Sequence, residues 1–149
     1  MIQGIWFPPG TDLSVGVLPV RRAVFGSAGN NTDPESWNIL VYMDDQPAAS
    51  GRIWWADGAF HLGDIGVIPE LRGRRLGDLA LRLLLFKAQS HAAREVRLRC
   101  GCDTEGFFAR LGFCVESRTR DTVEMVLAGK DINLDSCTGC LKQNCPDRK

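Results

Sequence analysis

One stretch of this chain constrains its fold more than any other, the thirty-odd residues from Ala59 to His91. Ala59 to Val67 reads as a strand, entered through the hairpin turn Asp57-Gly58. From Leu76 the apolar period changes: Leu76, Leu79, Ala80, Leu83, Leu84 and Ala88 recur at spacings of three and four, on one face of a helix running to about His91. Between the two lies Asp64-Ile-Gly-Val-Ile-Pro-Glu-Leu-Arg-Gly-Arg-Arg-Leu-Gly-Asp78, a turn dense in glycine and arginine. A strand that passes through such a turn into an amphipathic helix belongs to an α/β protein, with the helix laid on a sheet.

The flanking segments extend that unit. Gln3 to Phe7 predicts a strand closed by Pro8-Pro9-Gly10, and Asp12 or Ser14 caps a helix reaching about Phe25, in which Pro19 marks a late start or a kink. Gly26 to Glu35 has loop composition. Trp37 to Met43 and Ala48 to about Trp55 read as strands joined at Asp44-Asp45-Gln46-Pro47. Val96 and Leu98 alternate with arginine in a strand from Glu95 to Cys100; a short helix from Thr104 to Leu111 ends at Gly112, a left-handed cap. Phe113 to Ser117 and Thr122 to Leu127 close the pattern as a hairpin. The order β-α-β-β-β-α-β-α-β-β predicts an α/β fold: a mixed, largely antiparallel sheet with helices on both faces. Residues 1–128 form the expected domain, and 129–149 are a cysteine-containing tail.

The 18 basic and 18 acidic side chains cancel, which argues against a dedicated nucleic-acid binder. No apolar run approaches the ~18 residues of a membrane span. The N-terminus has no basic stretch followed by an apolar one, so the expectation is a soluble cytoplasmic protein. The charge is nonetheless uneven. Residues 1–68 carry three arginines against seven acids, a net of −4, whereas residues 69–99 carry seven arginines and one lysine against three acids, a net of +5. A basic segment inside a neutral chain points to a local anionic ligand such as a phosphate group; a solvated helix face is the alternative.

The Gly/Arg turn is where that ligand would bind. A helix N-terminus leaves backbone N–H groups without intrahelical acceptors, and its dipole favours negative charge. Gly73 and Gly77 permit close approach of the backbone, and Arg72, Arg74 and Arg75 add charge around the same point. The order V-x-P-x-x-R-G-R-R-L-G, followed some thirty residues later by F-F-A-R-L-G-F, resembles the GNAT superfamily of acyl-CoA-dependent N-acyltransferases. The family's turn is usually written R/Q-x-x-G-x-G/A; Arg72 and Gly77 match it, and Arg75 stands at the middle glycine. The resemblance implies that acetyl-CoA is the cosubstrate. Residues Gly73, Arg74, Arg75, Leu76, Gly77 and Asp78, with Arg72, would hold its pyrophosphate. The backbone of Ile65, Gly66 and Val67 would bond its pantetheine and thioester carbonyl. The implied activity is transfer of an acetyl group to a primary amine of a small molecule or protein. An acyl-CoA-binding module or sensor with little turnover is the alternative.

Amine acylation needs a proton acceptor for the amine, a stabilised oxyanion and a departing thiolate. The family commonly places a tyrosine proton donor where this chain has Phe108, and the chain's one tyrosine, Tyr42, lies on an early strand. Asp64 is the candidate base, ahead of His61; three residues apart, they face opposite sides of a regular strand unless a bulge intervenes. Cys102, with Cys100, is a candidate thiol at the reactive end. Arg52, Trp54, Trp55 and His61 are candidate substrate-binding residues. Cys137-Thr-Gly-Cys140 is a C-x₂-C knuckle with Cys145 as a third thiolate for a zinc ion, against a disulfide or a plain tail. An amine acceptor is the expected partner, and exposed strand edges leave a homodimer open.

Overall fold

The computed structural model describes residues 1–14, 16–26 and 35–134. Strand β1 (Ile2–Phe7) leads through the helix α1 (Val17–Phe25) to a meander of β2 (Trp37–Met43), β3 (Gln46–Ala56) and β4 (Ala59–Val67). Both meander turns have positive φ at their two central residues, Asp44 and Asp45, then Asp57 and Gly58. That is the turn geometry whose twist matches antiparallel strands. The helix α2 (Leu76–Ser90) crosses over to β5 (Glu95–Gly101), which runs parallel to β4. A short helix α3 (Glu105–Ala109) precedes β6 (Cys114–Arg118) and β7 (Thr122–Ala128). The seven strands form one sheet in the order β1-β2-β3-β4-β5-β7-β6. Every neighbouring pair is antiparallel except β4 with β5.

The element order agrees with the reading of the sequence, with local differences. Helix α1 starts at Val17 rather than after Asp12 or Ser14, and Gly16 is its N-cap. Asp12 instead accepts the Ser14 N–H at 2.9 Å in the preceding turn. Pro19 falls in the first helical turn, where a missing N–H costs no intrahelical bond. The predicted loop after Gly26 lies largely outside the described residues. The buried stripe of α2 is also rotated from the one expected. Leu81 and Leu85 are fully buried beside Leu76, Ala80, Leu84 and Ala88, while Leu79 and Leu83 are only partly covered.

Helices cover both faces. Helix α2 packs on Ile39, Val41, Ile53, Leu62, Val96 and Leu98, and Phe108, Leu111 and Phe113 continue that core beyond it. On the opposite face Val17 and Val20 of α1 close on Leu40, with Tyr42 beside them. The chain stays on the domain past β7: Ile132 is buried, and Arg82 of α2 donates to the Leu134 carbonyl at 2.6 Å. No described helix is long and apolar enough to cross a membrane.

Two irregularities create the site. β4 and β5 pair only from Phe60 to Leu62 with Val96 to Leu98, and past that point they diverge. Within β4, the register against β3 slips between Ser50–Gly66 and Arg52–Gly63, a bulge in which Asp64 has φ +52°.

Candidate active site

The divergence of β4 from β5 opens a cleft of about 390 Å³ through the sheet. Gly63, Asp64 and Ile65 form one wall, Arg99, Cys100 and Gly101 the other, and Phe107 and Phe108 of α3 close it on the α2 side. Beyond Leu62 the edge of β4 facing β5 has no strand partner among the described residues, so its backbone groups open into the cleft. A polar backbone edge without a ladder needs another partner, and an extended ligand can supply one.

At the far end of β4 lies a second cavity of about 420 Å³, lined by Val67, Arg72, Gly73, Arg75, Leu76, Gly77, Asp78, Phe107 and Arg110. Phe107 borders both cavities, so the two meet there. Pro69–Leu71 make a single 3-10 turn, after which Arg72 folds back and its Nε donates to the Val67 carbonyl at 3.2 Å. Gly73 (φ +84°) and Arg75 (φ +63°) turn the chain into α2, with Arg75 as its N-cap residue. A Cβ on Gly77 would lie 3.4 Å from Val67 and 3.7 Å from Phe107, between two residues of the cavity wall. The glycine therefore keeps the cradle open.

Arg75 sits where a left-handed backbone favours glycine, and its side chain is exposed. Arg75→Gly is expected to raise stability by about 0.5–1 kcal/mol, the left-handed strain relieved less the glycine's added entropy. For a chain of this size that is a rise in Tm of roughly 1–4 °C. An unchanged or lower Tm by differential scanning fluorimetry would show that the arginine's contacts outweigh its strain.

A third cavity, about 680 Å³, lies on the α1 face of the sheet beside the cleft and shares Leu62, Gly63, Asp64, Leu98 and Arg99 with it. Its walls are polar. His61 stacks on Trp54 with ring centroids 5.5 Å apart, and the Arg52 guanidinium lies 4.0 Å over the same indole. His61 Nε2 is 3.1 Å from the Ala56 carbonyl. A carbonyl only accepts, so Nε2 carries the proton, and in the neutral ring Nδ1 is the proton-accepting nitrogen. Arg97 is held by Glu95 and by both oxygens of Glu116, and Arg99 pairs with Glu124 at 3.0 Å.

The bulge resolves the parity of the two candidate bases: His61 and Asp64 line this one cavity. Their surroundings differ. The Asp64 carboxylate lies 2.9 Å from Nε of Arg52 and 3.9 Å from Nε of Arg21, and both arginines are almost fully buried. Arg21 donates in turn to Asn38 at 2.5 Å. Asp64 is thus the counter-charge of a buried arginine cluster beneath α1.

Other candidates are sorted by the fold. Arg52, Trp54 and His61 line the polar cavity, whereas Trp55 is 55% exposed on the other face, edge-on to Phe60. Successive strand residues alternate faces, so only one of the tryptophan pair reaches the site. Cys102 is a correction: it is exposed, its thiol against the Arg120 carbonyl, and it lines none of the three cavities. The thiol in the cleft wall is Cys100, whose pKa is raised by burial, so it stays protonated at neutral pH. Ile65 lines the cleft. Gly66 is a packing glycine: a Cβ there would come within 2.6 Å of Val24 in α1. Arg74 lies outside the cradle lining; it adds a small push to the Asp44 carboxyl, whose pKa is lowered first by its bond to the N-terminal ammonium. Tyr42 packs beside α1, away from the cleft. Cys137, Cys140 and Cys145 lie outside the described residues, among which no cluster of three or more metal-ligating side chains occurs. The sequence reading missed Phe107 and Arg110 of the cradle. Their spacing of three around α3 was the available signal, since it puts both on one side of the turn.

An arginine- and glycine-lined cavity opening into a split parallel pair is a specific arrangement, and the sequence model of the acetyltransferase (GNAT) family matches residues 15–113. The chain belongs to this family. Its fold is shared with an acyl-CoA N-acyltransferase from Pseudomonas aeruginosa (TM-score 0.74, 17% identity, covering 86% of this chain and 100% of that one). It is also shared with ElaA of Escherichia coli (TM-score 0.70, 21% identity, 85% and 99% covered). A third GNAT-fold neighbour is the PaiA N-acetyltransferase of Thermoplasma acidophilum, solved in complex with coenzyme A (TM-score 0.69, 13% identity, 86% and 99% covered). No curated protein sequence matches the chain.

Proposed function

We propose that this GNAT protein transfers an acetyl group from acetyl-CoA to a primary amine of a small molecule or protein. The observation that carries the reading is the path through the sheet: an Arg/Gly cradle on one side, a cleft between β4 and β5, and a polar cavity on the other. The cradle suits a pyrophosphate, with Arg72, Arg75 and Arg110 around the N-terminus of α2. The unpartnered edge of β4 suits the amide groups of pantetheine, and its backbone N–H groups are the available donors to the developing oxyanion. The acceptor amine enters from the polar cavity.

His61 is the group best placed to take the amine's proton. Its Nδ1 is the accepting nitrogen of a ring fixed by Trp54 and Ala56, and the cavity it lines reaches the cleft mouth. Proton transfer through one water suits a ring three residues upstream of the opening. Protonating Asp64 instead would withdraw negative charge from beside two buried guanidinium groups. The amine then attacks the thioester carbonyl, the carbon–sulfur bond breaks and coenzyme A leaves as its thiolate. Phe108 offers no proton in the cleft, but a thiol of ordinary pKa, about 8.5, departs without one.

His61→Gln is expected to lower kcat by about 10²–10³-fold with little change in the KM for acetyl-CoA. The assay is thiol release from acetyl-CoA with a panel of amines. Full activity in His61→Gln would move the proton to another acceptor. Phe108 favours one second reading, a module that binds acetyl-CoA with little turnover. Tight binding without thiol release for any amine would support it.

A further inference from the structure

We propose that Phe108 and Leu98 determine which acyl chain the donor carries, restricting it to a short uncharged group such as acetyl or propionyl. The inference rests on the cleft between β4 and β5 being the acyl donor's channel, and it names the donors that this channel admits. The cleft has two unlike sides. Leu62, Ile65, Leu98, Cys100, Phe107 and Phe108 line it and also belong to the apolar core under α2. Asp64 and Arg99 line it too, but they are shared with the polar cavity on the α1 face. Phe107, which borders the cradle, stands on the apolar side. A donor held in the cradle therefore lays its acyl chain along apolar side chains, while the amine arrives on the polar side.

The apolar side is short. Leu62 and Leu98 are the last paired residues of β4 and β5, and at ladder spacing, about 4.8 Å, no chain passes between the two backbones. From Leu98 to Cys100 is roughly 7 Å of strand, bounded by the side chains of Leu98 and Phe108. Both are buried, 6% and 8% exposed. The Phe108 ring is packed edge-on against Phe107 at 5.0 Å and Phe113 at 6.1 Å, centroid to centroid, so moving it aside disturbs two other rings. A methyl or ethyl group on the thioester carbonyl is covered by this wall; each further methylene presses on Phe108. A carboxylate at the chain's end would lose its water against apolar carbon and the Cys100 thiol, which burial keeps protonated.

The test is calorimetric titration of coenzyme A and of acetyl-, propionyl-, butyryl- and succinyl-CoA into the wild-type protein, Phe108→Leu, Phe108→Ala and Cys100→Leu, with a thermal melt of each. The readout is the ratio of Kd values within one protein, which a change in stability does not move. Wild-type protein is expected to bind acetyl- and propionyl-CoA within about threefold of each other, and butyryl- and succinyl-CoA at least about tenfold more weakly. Phe108→Leu and Phe108→Ala enlarge the pocket and should bring butyryl-CoA to within about threefold of acetyl-CoA; the leucine variant is the milder change to the core. Cys100→Leu narrows it, and should make propionyl-CoA about tenfold weaker than acetyl-CoA while coenzyme A binds as before. Wild-type affinity for butyryl-CoA equal to that for acetyl-CoA overturns the proposal, as do wild-type ratios in folded Phe108→Leu and Cys100→Leu. Absence of coenzyme A binding by the wild-type protein would instead overturn the reading of the cleft as the donor's channel, and the proposal with it.

Discussion

Gly77→Val is expected to leave the protein folded and to weaken coenzyme A binding by at least about a hundredfold, ~2.7 kcal/mol. Gly77 lies in the first turn of α2 with an ordinary helical backbone, so valine brings no left-handed strain and even gains slightly in helix propensity. Its Cβ would stand in ordinary contact with Val67 and Phe107, 3.4 and 3.7 Å away, and its two methyl groups would then extend into the space those residues enclose. In the proposed function, that space is where the pyrophosphate approaches the backbone. Thermal melts separate the two effects. Wild-type protein at a hundred times its Kd should gain ~2.7 kcal/mol from coenzyme A, whereas Gly77→Val should melt at or above the unliganded wild-type Tm and gain at most about 0.4 kcal/mol at the same ligand concentration. Wild-type stabilisation of the variant by coenzyme A would place the phosphates elsewhere.

Asp64→Ala is expected to be the most destabilising single change in the site, by about 2–4 kcal/mol, a fall in Tm of roughly 5–15 °C. The substitution removes the carboxylate beside the buried guanidinium groups of Arg52 and Arg21, one in the middle of β3 and the other in α1. Partial exposure of Asp64 keeps the cost below that of a fully buried pair. Asp64→Asn keeps the shape and one oxygen acceptor, so its loss should be smaller. Denaturant titration of both variants gives the values. If Asp64→Ala melts with the wild type while its kcat collapses, Asp64 is a proton acceptor rather than a counter-ion, and the role assigned to His61 falls.

Much of the fold was legible because its signals are local. The change from a period of two to spacings of three and four after the Gly/Arg turn marks β4 and α2 without knowledge of their neighbours. Asp57-Gly58 announced its hairpin because left-handed backbone at both central positions suits few other pairs. The cradle was legible for the same reason: Arg72, Gly73, Arg75 and Gly77 lie within six residues, so one turn brings them together. Phe107 and Arg110 were not, since they reach the cradle from α3 only after the chain has crossed β5.

The polar cavity and the cleft mouth depended on features that no local pattern encodes. Alternation on a regular strand separates His61 from Asp64, and one bulge in β4 puts both in the same cavity. The choice between Cys100 and Cys102 turned on where β5 ends: Cys100 faces the cleft from the strand, and Cys102 has already left it for the next turn. Trp54 and Trp55 could be told apart only by knowing which face of β3 the cavity occupies.

The sequence by itself determined the elements, their order and the Gly/Arg turn before α2, because backbone propensity, turn chemistry and apolar period act over a few residues. Tertiary structure decided that β7 inserts between β5 and β6, that β4 and β5 part after three paired residues, and that Asp64 is drawn onto two buried arginines. Those outcomes follow from pairing between segments far apart in the chain, where strand partners, bulges and buried charges are settled together by the packing of α1 and α2 on opposite faces of one sheet.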